Sequence, residues 1–170
     1  MSFVATPPAP ASPPASVVEA DGTFWPAIDV NALRNALRLG DSVVSHERLT
    51  AAIEGSVASL MLELRAWRAA QEAAGAAALA EVDPTLHLNG DPIAVTLWNR
   101  AVRFAAAAEI NDGYADLTAT DEGGQRGAER RTVADDYRRQ SITAVRQLSH
   151  LGTLLPDITT ASGGCLVDLI

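Results

Sequence analysis

The chain has 170 residues, 5% of them aromatic, and a formal net charge of −8 at pH 7. This length predicts one domain with a sizeable core, and a chain rich in alanine and poor in aromatic residues favours closely packed helices over a β-sandwich. The negative charge argues against general affinity for nucleic acid, because that affinity comes from cations that neutralise phosphates.

The sequence also limits which metal sites and which cellular compartment we expect. Cys165 is the single cysteine, so the sequence holds neither an internal disulfide nor a multi-cysteine metal site. No apolar run has the length of a membrane span, and the N-terminus lacks the charged start and apolar core of a secretory signal. We therefore expect no membrane partner, and the cytoplasm as the default compartment.

Residues 1–22 contain five of the nine prolines and are predicted to form a flexible, extended arm. Proline fixes φ and removes an N–H donor, which disfavours both helix and sheet. The arm is interpreted as a disordered tail or as a segment that lies on a neighbouring subunit. The helical body is predicted to follow over residues 23–155.

A short helix is predicted after Asp29, which can cap its first turn, and Gly40 is expected to end it. A long central helix is predicted from Ser45, a good N-cap, to Gly75, which suits a left-handed helix end. Its apolar residues recur at helical spacing on one side: Leu49, Ile53, Val57, Leu60, Leu64 and Trp67.

Residues 76–90 are predicted to be irregular, with Leu79 and Val82 as core residues and a turn at 89–90. Asp91-Pro92 has the pattern of a helix start, a cap followed by proline at the first helical position. That helix is expected to end near Leu117. Its expected buried face comprises Ile93, Leu97, Ala101, Phe104 and Ala108.

A glycine-rich charged loop is predicted at residues 121–127, before a last helix at about 128–154. The loop lacks the Gly-Lys-Ser/Thr ending of a phosphate-binding loop and does not follow a strand. The last helix is expected to bury Val133, Tyr137, Val145 and Leu148. The predicted fold is therefore all-α, a small bundle of about four helices with an extended N-terminal arm and an extended C-terminal tail.

The tail, residues 156–170, combines a flexible Ser-Gly-Gly hinge at 162–164 with an apolar tip. A six-residue tip cannot form stable structure alone, and exposed aliphatic side chains forgo about 1.5–3 kcal/mol each in burial. We therefore expect the tip to dock on a partner, by β-strand addition for example, although it can also fold back onto its own bundle. The predicted partner-binding residues are Cys165, Leu166, Val167, Leu169 and Ile170.

No residue pattern indicates catalysis, a cofactor or a metal. His46, His87 and His150 stand alone, without the spacing of a zinc site on a helix. Trp67 and Trp98 fall at helical spacing within apolar faces and are expected to pack in the core. A small-molecule substrate would require convergent polar groups on those faces, and the sequence offers none.

Four segments, in this order and spacing, resemble the head completion proteins of temperate contractile-tailed phages, the GPL family. They are FWPAIDVNALRNALRL, LTAAIEGSVASLMLELRAWRAAQEAAG with ALAEVD after it, LWNRAVRFAAAAEI, and CLVDLI. The resemblance covers residues 23–170 and leaves out the proline-rich arm.

The resemblance implies a head-to-tail connector in the virion, assembled in the host cytoplasm. Such a protein forms a ring beneath the portal, seals the DNA-filled capsid and offers a docking surface for the tail. Its implied partners are the portal protein, neck and tail terminator proteins and copies of itself. Genomic DNA would pass through the lumen without specific binding.

An alternative is a DNA-contacting packaging factor that uses a local arginine cluster. The cluster comprises Arg126, Arg130, Arg131, Arg138 and Arg139. Because the surrounding charges are mixed, the favoured interpretation of these arginines is a solvated helix face paired with Glu129, Asp135 and Asp136.

Overall fold

The protein is described here from a computed structural model that covers residues 17–20, 23–39, 44–117 and 124–152. Over these residues the chain forms five α-helices and one 3₁₀ turn, so the predicted all-α class is confirmed. The helices are α1 (Val30–Ala36), α2 (His46–Glu63), α3 (Arg65–Ala73), α4 (Ile93–Leu117) and α5 (Gly124–Ser149), and the 3₁₀ turn is Leu79–Glu81.

Two short antiparallel pairs accompany the helices. Strand β1 (Val17–Val18) pairs with β2 (Ile28–Asp29), and β3 (His87–Leu88) pairs with β4 (Asp91–Pro92). Val17 and Val18 belong to the segment predicted to be an arm without sheet, yet the Val18 side chain is buried in the core. Both are β-branched and follow the last proline of that segment, so their backbone N–H groups can pair.

Helix α1 begins where the sequence predicts. The Asp29 carboxylate accepts a hydrogen bond from the Ala32 N–H at 2.9 Å, which satisfies one orphan amide of the first turn. The helix ends before the predicted stop at Gly40, because Arg38 already takes a left-handed backbone with φ of +54°. A non-glycine residue can end a helix in this way at a modest steric cost.

The predicted central helix is present but interrupted at Leu64, where α2 gives way to α3. The Leu64 N–H still donates to the Leu60 carbonyl at 2.9 Å, and its own carbonyl accepts from the Arg68 N–H at 2.8 Å. Ser45 caps α2 by accepting from the Arg48 N–H at 3.3 Å. Gly75 ends α3 at φ of +105°, as its position in the sequence predicts.

The start of α4 differs from the prediction. Asn89 and Gly90 have φ of +54° and +91°, the conformation of a two-residue hairpin turn, and they place Asp91 and Pro92 in β4. Helix α4 therefore begins at Ile93, whose N–H donates to the Leu86 carbonyl at 2.9 Å. It reaches Leu117, the residue at which its end is predicted and the last one described before the gap at 118–123.

Helix α4 is central, because it packs against both α2 and α5. Its buried face is centred on Ala94, Trp98 and Val102, whereas the predicted Ile93, Leu97 and Phe104 are only half-buried. The predicted Ala101 and Ala108 are buried.

Helix α5 begins at Gly124, earlier than predicted, so residues 124–127 are helical and not part of a loop. It contacts α4 through small residues: the Ser141 hydroxyl donates to the Ala101 carbonyl at 2.9 Å, which requires close backbones. Val145 and Leu148 are buried as predicted, and Tyr137 is half-buried. Val133 is 42% exposed, so its predicted place in the core is wrong; Ala134 is buried instead.

Candidate interaction surfaces

Four aromatic residues gather at the end of the bundle where α3 meets the N-terminal segment. Trp98 is fully buried and stacks on Trp25, with ring centroids 4.3 Å apart. Trp67 is half-buried, and its ring centroid lies 6.3 Å from those of Phe24 and Trp25. The Trp67 indole N–H donates to the Leu151 carbonyl at 3.2 Å. The cluster therefore fixes α3 and the end of α5 to the core.

The last residues that the structure describes lie against α3. Gly152 has φ of +65°, and a Cβ added there would run into the side-chain amide of the buried Gln71. Glycine is therefore favoured at this position for two reasons, its backbone conformation and the close approach of Gln71. The predicted partner-binding residues Cys165, Leu166, Val167, Leu169 and Ile170 lie outside the described residues, and their role stays a prediction.

A surface cleft lies where α2, α3 and the N-terminal segment meet; we name it the Leu62 cleft. It has a volume of about 370 Å³ and is lined by Trp25, Met61, Leu62, Arg65, Arg68, Ala69 and Glu72. Leu62 is 72% exposed, more than any other large aliphatic or aromatic side chain in the described part of the chain. The sequence contains a signal for this position, since Leu62 lies two residues from both Leu60 and Leu64 and so cannot share their buried face.

Two arginines flank the Leu62 cleft. Arg68 pairs with Glu72, with Nε 2.9 Å from Oε1, and its guanidinium lies 5.2 Å from the centre of the Phe24 ring. Arg65 is exposed and forms no ion pair with any residue that the structure describes. The cleft thus combines an exposed apolar side chain with an available positive charge.

A second groove, of about 410 Å³, runs between α2, α4 and α5 and is acidic in character. Glu63, Glu109, Asp112 and Arg138 line it. Burial raises the pKa of the Glu109 carboxyl, and a Cβ added at Gly55 would lie 3.2 Å from Oε2 of Glu109. No group of His, Cys, Asp and Glu side chains within the described ranges has an arrangement that could hold a metal ion.

The arginine cluster of α5 is engaged in local contacts. Arg138 pairs with Asp112 and with Asp135, the latter at 2.6 Å, and Arg139 pairs with Asp136. Arg130 lies over the Tyr114 ring, 5.2 Å from its centre. These contacts favour the interpretation of a solvated face of mixed charge, because the cations already have neighbouring acids.

Among the described helices, none has both the length and the apolar character that crossing a bilayer requires. Three cavities of about 370–430 Å³ are open at the surface of the described residues. None of the three brings together the nucleophile, base and orienting group that would indicate an active site.

Comparison with known proteins shows which family the chain belongs to. The family described as Phage head completion protein (GPL) matches residues 18–154, which include all five helices. A protein of Escherichia phage P2 named Head completion/stabilization protein is 30% identical over 125 residues, covering 74% of this chain and 73% of that protein. No solved structure matches the chain. Three of the four segments behind the resemblance lie within the matched residues, whereas CLVDLI, at 165–170, lies beyond them. The predicted family is confirmed, and the chain belongs to the phage head completion protein (GPL) family.

Proposed function

We propose that the protein completes and stabilises the DNA-filled head of a contractile-tailed phage, as a connector that forms a ring beneath the portal. The observation that carries this proposal is the family match, which extends over residues 18–154 and so over the whole described bundle. The name of the phage P2 relative gives the same role, head completion and stabilization. In this role the protein is structural and catalyses no reaction.

A ring subunit needs a stiff body and two different side surfaces, because a head-to-tail contact joins unlike patches. The close packing of α4 against α2 and α5 supports such a body, and the Leu62 cleft and the acidic groove are two distinct surfaces. The net charge of −8 suits a channel that DNA must leave, since a negative wall does not retain phosphates.

Residues 165–170 serve in this proposal as the docking device, through Cys165, Leu166, Val167, Leu169 and Ile170. Their apolar side chains gain from burial on a neighbouring subunit or on the portal protein. Deletion of residues 165–170 should leave helicity and melting temperature unchanged and abolish the joining of heads to tails. A truncated protein that melts much earlier, or that still yields infectious particles, would contradict the docking role.

The decisive experiment for the function is deletion of the gene from the phage, with electron microscopy of the lysate. We expect packaged heads that lack tails or lose their DNA, beside complete free tails, and rescue by the gene supplied on a plasmid. Imaging of rescued virions should place the protein in a ring between the portal and the tail. Normal infectious particles from the deletion phage would contradict the proposal.

The alternative of a DNA-contacting packaging factor has less support. It needs cations that are available to phosphates, whereas Arg138 and Arg139 contact acidic side chains and Arg130 contacts an aromatic ring.

A further inference from the structure

We propose that the Leu62 cleft of one copy is the site that receives the apolar tip, residues 165–170, of the next copy. This inference rests on the proposed function, because it assigns a site to the tip within a ring. The contact joins two copies of this chain, and a tip bound to its own cleft or to another surface would give a different cross-linking pattern.

The cleft has the apolar character that the tip requires. Leu62 is 72% exposed, and beside it lie the half-buried Met61 and the buried indole of Trp25. Single exposed aliphatic residues are common on protein surfaces, but here the exposed leucine lies in a concave site with an aromatic wall. The tip contributes four aliphatic side chains, Leu166, Val167, Leu169 and Ile170.

The charges of the two segments are complementary. Residues 153–170 contain Asp157 and Asp168 and no arginine or lysine. The cleft is flanked by Arg68 and by Arg65, and Arg65 makes no ion pair with the described part of the chain. Asp168 lies within the tip itself, so a tip in the cleft brings a carboxylate to the arginines as it buries its aliphatic neighbours. The acidic groove between α2, α4 and α5 lacks this match, since its three acids outnumber its one arginine, Arg138, which already pairs with Asp112.

The length of chain favours the cleft of a neighbouring copy. Gly152 lies against Gln71 of α3, and the cleft is lined by other residues of the same short helix, among them Arg65 and Ala69. The exit point and the chain's own cleft are therefore separated by about the width of one helix, roughly 10–12 Å. The twelve residues 153–164 separate that exit from the tip, and twelve residues can span up to about 40 Å. A folded domain of this size is roughly 35 Å across. The spacer therefore matches the width of a subunit and is much longer than the chain's own cleft requires.

This arrangement gives each copy one tip and one cleft. The two are different patches, so their contact is heterologous and repeats from copy to copy until a ring closes.

The test uses the native cysteine of the tip as a cross-linking probe. Phage particles are assembled in cells that supply the wild-type chain together with a Leu62→Cys, Cys165→Ser variant, then purified and exposed to mild oxidant. Cys165 of one chain and the introduced thiol of the other should form a disulfide-linked dimer, seen on a non-reducing gel. The matched control is an Ile142→Cys, Cys165→Ser variant, because Ile142 is also an exposed aliphatic residue, at 45%, but lies in the acidic groove. We expect several times more dimer with the cysteine at 62 than at 142.

Particles that contain both chains but give no dimer at 62, or more dimer at 142, would overturn the assignment. A second variant, Leu62→Cys with Cys165 retained, separates the two possible sources of the tip. An oxidised monomer of altered mobility would mean that the tip occupies its own cleft, which also overturns the proposal. A ladder of linked multimers is the expected result. Absence of the protein from the particles would instead contradict the proposed function, so the two failures are distinguishable.

Discussion

The indole nitrogen of Trp67 donates a hydrogen bond to the carbonyl oxygen of Leu151 at 3.2 Å, across 84 positions of the chain. The bond attaches the end of α5 to α3, next to the place where Gly152 lies against Gln71. It therefore sets the point from which the C-terminal tail leaves the bundle, and two substitutions can separate its contribution from that of ring packing.

The first prediction concerns Trp67. Trp67→Phe keeps an aromatic ring beside Phe24 but removes the donor to Leu151, and should lower the free energy of unfolding by about 1 kcal/mol. Trp67→Ala should cost more, about 2–4 kcal/mol, because a half-buried ring is also lost. Urea unfolding of both variants measures the difference. No loss in Trp67→Phe would mean that the hydrogen bond contributes nothing, and equal losses in the two variants would mean that ring packing contributes nothing.

Trp98 should be the more sensitive of the two tryptophans. Its side chain is fully buried and stacks on Trp25, so Trp98→Ala should lower the free energy of unfolding by about 3–5 kcal/mol. The same urea experiment tests it, with Trp67→Ala as the reference. A loss at Trp98 smaller than that at Trp67 would contradict the assignment of α4 as the central helix.

The cap of α2 gives a prediction with an internal control. Ser45→Ala removes the oxygen that accepts from the Arg48 N–H and should cost about 1 kcal/mol. Ser59→Ala, on the same helix, removes only an exposed hydroxyl that donates back to the Gly55 carbonyl, and should change stability by less than about 0.5 kcal/mol. Ser45→Ala should therefore have a clearly lower melting temperature than Ser59→Ala. Equal melting temperatures would show that Ser45 does not stabilise α2 as a cap.

The acidic groove makes stability depend on pH through Glu109. Burial raises the pKa of this carboxyl above its ordinary value of 4.5, so the folded protein holds the proton more strongly than the unfolded chain does. The contribution of the protonated group is fully present below the unfolded pKa and is lost as pH rises through the folded pKa. Glu109→Gln removes the titration. The stability of the wild type relative to this variant should therefore fall as pH rises from about 4 to 6. If the stability of the wild type relative to Glu109→Gln rises over that range, the prediction is wrong.

The protein should show no salt-dependent affinity for DNA. Arg138 and Arg139 of α5 are paired with acids, Arg130 lies over Tyr114, and the net charge is −8. Gel shifts with double-stranded DNA at increasing salt are the measurement, with an Arg138→Ala, Arg139→Ala variant as the comparison. A shift that is lost at high salt and weakened in this variant would support the packaging factor instead.

The sequence by itself determined the helical class, the family and the two ends of the long helical stretch at residues 45–75, which holds α2 and α3. Ser45 and Gly75 are local signals, because a cap oxygen and a left-handed glycine act on the backbone next to them. Leu49, Ile53 and Val57 were found by their spacing, which is a property of one helix alone.

Only the tertiary structure decided which faces of α4 and α5 are buried. The apolar spacing of α5 predicts that Val133 is in the core, but Val133 is exposed. The Ser141–Ala101 hydrogen bond brings α5 so close to α4 that small residues fill the interface. Asp91 and Pro92 likewise form strand β4 of the β3–β4 hairpin, although an Asp-Pro pair is locally typical of a helix start. The Leu62 cleft is lined by Trp25 together with residues of α2 and α3. Residue spacing within one segment cannot predict this cleft, because the cleft depends on how separate segments pack.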